Sequence, residues 1–176
     1  MKVYLRRMKT KTLCPEKKSR KQILWSWLGS FAGIYLLSIL SSEYTLFLIG
    51  SFGATAVLIY GAPDSDFAQP RNLLGGHIFS AIIGIITFKL FHSDLPLACA
   101  LAVSFAIVIM HFTRTMHPPG GATALIAVIG GTKVTNLGFS FVVYPVAPGA
   151  LAMLFVAILV NNFSRDSLRH YPKYWL

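Results

Sequence analysis

The residues able to do chemistry sit in a few clusters inside a mostly apolar sequence. The most structured cluster is His117-Pro118-Pro119-Gly120-Gly121-Ala122-Thr123-Ala124. Proline lacks an N–H and its φ is preset for a first helical turn, so Pro118 and Pro119 suit a helix start. Glycine removes the side chain that would hold a ligand away from backbone N–H groups. Free N–H groups and the helix dipole together favour an anion. Thr123 adds a hydroxyl one turn in. The tetrapeptide recurs at Gly53-Ala54-Thr55-Ala56, behind Gly50-Ser51-Phe52. Ser51, Gly53 and Thr55 therefore offer comparable parts. Two such helix starts facing each other across a pseudo-twofold axis would form a small polar cage. Gly-rich, interrupted apolar segments at matching places in two halves point to a midplane site in a transporter built from repeats. For any single residue, the plainer account is that small side chains let membrane helices approach closely. That account leaves the Pro-Pro pair and the repetition unexplained.

Two further groups accompany the cage. Arg71, Asn72 and His77 open one apolar segment, and Arg114 and His117 lie between two others. Charges near membrane depth are costly and are functional suspects by default. Arginine can hold an anion bidentately, or it can snorkel to the interface and only set orientation. His77 and His117 titrate near neutrality and could couple a proton to anion movement, or they could cap helices. His92 and His111 read as structural. Asp64 and Asp66 follow Pro63 in a turn-type sequence. No Ser/His/Asp order, Cys/His cluster or phosphate-loop motif is present, and His111 and His117 lack metal-pair spacing. An enzyme, a metal site and a cofactor are therefore not expected. Cys14 and Cys99 are expected to lie far apart, without a disulfide.

The elements that must position these residues are membrane helices. The chain is 55% hydrophobic and 12% charged over 176 residues, with a mean hydropathy of +0.61. Soluble domains carry about 25% charged residues, so an all-α integral membrane protein is predicted. Six apolar segments can be drawn: 23–40, 44–60, 73–88, 95–112, 118–129, and one within 139–160 that starts near Gly149. The second and fifth carry the shared tetrapeptide, and the fifth is short enough to be a broken or half-length helix. Each half reads as a long helix, a Gly-rich helix, a Pro-containing connection and a third helix with a glycine near its start (Gly76 and Gly149). Three helices per half make the second half inverted. The expected architecture is a 3+3 inverted repeat of about six transmembrane helices, with repeat 1 at about 23–91 and repeat 2 at about 95–163. A single transmembrane domain, 23–163, is flanked by basic tails at 1–22 and 164–176.

The net charge is +10. Basic residues crowd both tails, so the reading favours cytoplasmic termini that meet anionic lipid head groups, not nucleic acid. With six spans, Arg71 and Arg114 fall on the cytoplasmic side. With four, re-entrant Gly-rich segments would move them outward, against the positive-inside tendency. The first apolar segment is read as an uncleaved helix. Its Gly29-Ser30-Phe31-Ala32-Gly33 fits a small-residue packing pattern that serves either a subunit interface or the protomer itself. A homo-oligomer, with a dimer favoured, is expected.

These residues resemble the HPP family of membrane proteins, named for the His-Pro-Pro seen here at His117, Pro118 and Pro119. The resemblance rests on His117 to Leu125, Gly53-Ala54-Thr55-Ala56, Gln69-Pro70-Arg71-Asn72 and Gly75-Gly76-His77. Some plastid and cyanobacterial members transport nitrite, so the resemblance implies small-anion transport with nitrite as the leading substrate. It also implies four spans, against the six drawn above. Without a convincing plastid leader, the expected home is a bacterial inner (plasma) membrane. The candidate binding residues are Ser51, Gly53, Thr55, Arg71, Asn72, His77, Arg114, His117, Pro118, Pro119, Gly120, Gly121 and Thr123. The competing expectation is a non-transporting membrane scaffold or sensor.

Overall fold

A computed structural model describes residues 14, 16–44 and 48–176, with the backbone alone at 42–44. The basic run Lys2–Lys11 and the opening of the second predicted segment, residues 45–47, lie outside the described residues. The described chain is helical throughout. The helices are α1 (Arg20–Tyr44), α2 (Gly50–Gly61), α3 (Pro70–Phe91), α4 (Leu95–Thr113), α5 (Pro118–Ile129), a short α6 (Thr132–Thr135) and α7 (Ala147–Phe163).

Four helical stretches are long and apolar enough to cross a membrane: Arg20–Ser41, Pro70–Phe91, Leu95–Thr113 and Val142–Phe163. The helices α2 and α5 have 12 residues each. At 1.5 Å per residue each reaches about 18 Å, against a hydrocarbon core of about 30 Å. The six predicted segments are therefore present as four full-length helices and two short ones. The two short helices are the Gly-rich segments, as the shortness of the fifth had suggested. The last helix starts at Ala147, close to the expected Gly149. Just before it the chain kinks at Tyr144, which leaves helical geometry at φ −152° and ψ 117°. Pro145 cannot donate to the ladder, which accounts for the kink here.

Local sequence explains most helix starts. Pro70 and Pro118 open α3 and α5, and Asp94 caps α4 by accepting from the Leu97 N–H at 3.1 Å. Ser65 caps the 3₁₀ turn Asp66–Ala68 in the same way.

Side-chain contacts set the directions. Ser51 meets Thr123 and Thr55 meets His117, so α2 and α5 run antiparallel where they touch. The short α2 lies along α7, with Phe52 on Gly149 and Asn161 bonded to the Ile59 carbonyl. The short α5 lies along α3. Gly76 faces His117, and a Cβ at Gly120 would stand 2.7 Å from the Gly76 oxygen. Gly76, Ser80 and Gly84 form an i, i+4 row on α3 that admits α5 at backbone contact. Gly29 and Gly33 face the Tyr60 ring within the protomer, which decides between their two expected uses.

The main core joins α1, α2, α3 and α7 around Leu37, Phe52, Tyr60, Leu73 and Met153. One end of the bundle is tied down by the C-terminal segment. Buried Arg169 donates to the Tyr60 carbonyl at 2.8 Å and to Asn161 Oδ1 at 2.7 Å, satisfying carbonyls that α2 leaves open at its end. Burial pulls the Arg169 pKa down, and Asp166 and Asp64 oppose the shift. Tyr171 donates to the Ala68 carbonyl, and the Lys173 N–H to Gln69 Oε1.

Candidate functional site

Where the two short helices overlap, five polar side chains meet with no solvent exposure: Ser51, Thr55, His77, His117 and Thr123. Ser51 and Thr55 lie one turn apart on α2. Thr123 enters from α5 and His77 from the second turn of α3, while His117 is the residue that caps α5. Proline at the next two positions fixes where α5 begins, and so fixes the place of His117.

The cluster is closely connected. Thr55 Oγ1 lies 2.8 Å from His77 Nε2 and 3.1 Å from His117 Nε2. His77 Nδ1 lies 2.7 Å from Thr123 Oγ1, and Thr123 Oγ1 lies 2.9 Å from Ser51 Oγ. His117 Nδ1 donates to the Phe67 carbonyl at 2.8 Å. The two imidazoles stand edge to face with centroids 4.9 Å apart, and Phe52 tilts against His77 at 5.1 Å.

These contacts fix the His117 tautomer, assigned from the bonding pattern. The Phe67 carbonyl can only accept, so the His117 hydrogen sits on Nδ1 and its Nε2 is an acceptor in the neutral ring. Thr123 Oγ1 donates to Ser51 Oγ, so the hydrogen on its contact with His77 comes from His77 Nδ1. Thr55 Oγ1, which also lies 3.2 Å from the Ser51 carbonyl, then has one hydrogen for three acceptors, that carbonyl and both Nε2 atoms. Both rings are neutral in this arrangement, as burial without a carboxylate partner demands.

The other predicted residues divide into two sets. The backbone of Gly120 packs directly on α3, and its N–H donates to the His117 carbonyl at 2.8 Å. It is therefore not a free donor, contrary to the expected anion-binding turn. Pro119 is buried beside it. Pro118 and Gly53 are exposed and Gly121 is half-buried, so none of the three belongs to the cluster. An added Cβ would meet nothing within 4 Å at Gly53, and only Val103 at 3.8 Å at Gly121. Arg71, Asn72 and Arg114 gather near one end of the bundle. Arg71 Nη2 donates to the Thr113 carbonyl and Asn72 Nδ2 to the Met116 carbonyl, both at 2.8 Å. They hold the α4–α5 connection against the start of α3. No contact joins the arginines to the threonine–histidine cluster.

Sequence reasoning missed two participants. The Phe67 carbonyl sets the His117 tautomer, and backbone acceptors leave no residue-type signal. Ser80 is buried beside Gly120, where its hydroxyl faces Met110 Sδ at 3.8 Å. Its i+4 spacing from Gly76 was the available signal.

Comparison with known proteins finds a family match and similar relatives. The family described as HPP, transmembrane region, matches residues 15–172. Two Dictyostelium discoideum proteins, each named only as a transmembrane protein, are similar to the chain. One is 49% identical over 98% of this chain and 57% of its own length. The other is 48% identical over 88% of this chain and 56% of its own length. The chain thus spans a little over half the length of these relatives. No solved structure matches it. The match to the family covers nearly every described helix, with His117-Pro118-Pro119 at the head of α5, and the chain belongs to the HPP transmembrane family.

Proposed function

We propose that this protein is a membrane transporter or channel for a small inorganic anion, with nitrite as the first substrate to test. One observation carries the reading: two short antiparallel helices bring three hydroxyls and two imidazoles together at the centre of an apolar bundle. Polar groups inside a membrane are expensive, and those kept there commonly mark a pathway. Ser51, Thr55 and Thr123 are the donors offered to an anion. An added proton on either histidine turns an acceptor nitrogen into a donor and reverses the hydrogen bond to the facing threonine. That step supplies the positive charge an anion needs, so proton-coupled movement fits the chemistry.

The helix arrangement supports a 3+3 inverted repeat. Exchanging α1 with α4, α2 with α5 and α3 with α7 carries packed pairs onto packed pairs. The pair α1·α2 becomes α4·α5, α1·α7 becomes α4·α3, and α2·α7 becomes α5·α3. Under the same exchange the contact of Phe52 on Gly149 corresponds to that of Gly120 on Gly76. Repeats of this kind place substrates where the halves meet. The bundle end with the start of α1 and the end of α7 bears Lys18, Arg20, Lys21, Arg71, Arg114, Arg165 and Lys173, while the other end bears Lys89 and Lys133. The positive-inside tendency makes the first end cytoplasmic, with the plasma membrane as the assigned location.

The test is nitrite flux into liposomes that hold the full chain. Thr55→Val combined with Thr123→Val keeps the shape and removes both hydroxyls, and should lower flux at least about tenfold. Undiminished flux in that variant refutes the assignment of the cluster. The five side chains also satisfy one another without exposure, which favours a second reading as a non-transporting scaffold. Absence of wild-type flux for nitrite and other small anions, in protein shown to be folded, would select it.

A further inference from the structure

We propose that the groove between the start of α3 and the end of α4 is a binding site for an anionic phospholipid. This site is separate from the threonine–histidine cluster and does not depend on the transport reading. The groove is open and has a volume of about 830 Å³. Arg71 and Arg114 line it together with Trp175, and Leu74, Phe79 and Phe112 supply apolar wall.

Three features select the occupant. The first is charge. Two guanidinium groups line one groove, and among the described residues no carboxylate forms an ion pair with either. Arg71 is held by a single hydrogen bond, Nη2 to the Thr113 carbonyl, and its Nε has no partner. Arg114 is exposed. A phosphodiester presents the acceptor oxygens that guanidinium forks match. The second is the apolar wall. A free inorganic anion has no use for Leu74, Phe79 and Phe112, whereas an acyl chain does. Phe112 is 82% exposed, and it sits at the last turn of a spanning helix, where hydrocarbon meets head groups. The third is position. Tryptophan favours the membrane interface, and a basic pocket between spanning helices on a strongly basic face is the arrangement that retains anionic head groups. The occupant would also bridge the α3 start and the α4 end, on which the placement of His117 depends.

The experiment is lipid binding by native mass spectrometry on the full chain in detergent. Phosphatidylglycerol and phosphatidylcholine are compared at matched acyl chains, with inorganic phosphate as competitor. Phosphatidylglycerol should stay bound and raise the melting temperature, phosphatidylcholine should be lost, and millimolar phosphate should not displace the lipid. Among the described residues the Arg114 side chain makes no hydrogen bond, so Arg114→Gln should keep the fold, and it should weaken phosphatidylglycerol binding about fivefold. Arg71→Gln with Arg114→Gln should abolish retention. Lys133→Gln, at the opposite end, should leave it unchanged. Equal retention of phosphatidylcholine, full displacement by inorganic phosphate, or unchanged phosphatidylglycerol binding in Arg114→Gln would each overturn the assignment.

Discussion

The helices α2 and α5 share Gly-Ala-Thr-Ala and the same length of 12 residues, yet they are seated differently. In α5, Gly120 brings backbone to backbone contact with α3 at Gly76, and His117 stands at the N-cap. At the matching places α2 has Phe52 and Ile49. The Phe52 ring covers Gly149 of α7, and an aliphatic side chain stands where α5 has an imidazole, although neither Ile49 nor His117 makes a side-chain capping bond. Both threonines nevertheless reach the same imidazole, His77. The repeated tetrapeptide places a hydroxyl one turn inside each helix. The flanking residues decide which side of the meeting point is polar. The start of α5 brings Gly120 and His117 beside Gly76 and His77 of α3, whereas the start of α2 presents a ring and an aliphatic side chain. Apparent symmetry in sequence therefore yields a one-sided site.

Substitution at the two glycines beneath these helices should give the largest effect and the sharpest contrast. Gly76→Ala drives a methyl group into the Cβ of His117 and toward the Thr115 carbonyl, where backbone cannot retreat. We expect a loss of about 3 kcal/mol or more in detergent unfolding. Gly149→Ala meets only the Phe52 ring, and should cost about 1–2 kcal/mol. Combination with Phe52→Ala should recover part of that loss in a double-mutant cycle. Equal costs at both glycines, with no recovery, would mean the two helices are seated alike.

The next effect concerns what the two threonines share. His77→Ala removes the ring that both hydroxyls share, leaving Thr55 with the His117 ring alone, and opens a cavity, so about 2–4 kcal/mol should be lost. In that background Thr55→Val and Thr123→Val should each cost less than in the wild type, since the bond to His77 that they would remove is already gone. Strict additivity of the three substitutions would show that the hydroxyls do not act through His77.

The smallest effect is expected at the glycines of the tetrapeptide itself. Gly53→Ala and Gly121→Ala enter open or loosely filled space in helical backbone. Stability should change by no more than about 0.5 kcal/mol, or rise, because alanine is the better helix former. If either variant keeps its stability but loses flux, the glycine surface outside the cluster takes part in passage.

Much of this was legible before any fold was seen. Low charge and long apolar blocks dictated membrane helices, since only internally hydrogen-bonded elements survive in lipid. Pro118 and Pro119 dictated the start of α5, which falls at the predicted residue. The repeated tetrapeptide flagged Thr55 and Thr123, and His77 and His117 were named beside them. Other expectations failed for physical reasons. Gly120 looked like a ligand turn but is a packing surface, because glycine serves close approach of a ligand and of another helix equally well. Arg71 and Arg114 looked like partners of the cage. Whether residues six positions apart, such as Arg71 and His77, share a site depends on where neighbouring helices stand, and the arginines belong to a separate groove.

The sequence by itself determined the solvent, the helices and the inventory of polar groups, because these follow from composition, proline stereochemistry and local hydrogen bonding. Only the tertiary structure decided that α2 and α5 overlap antiparallel, that His77 joins both threonines, and that the Phe67 carbonyl fixes the His117 tautomer. Those facts depend on contacts between residues up to 72 positions apart. Glycine rows and ring shapes set such contacts through steric fit, and no local pattern along the chain encodes them.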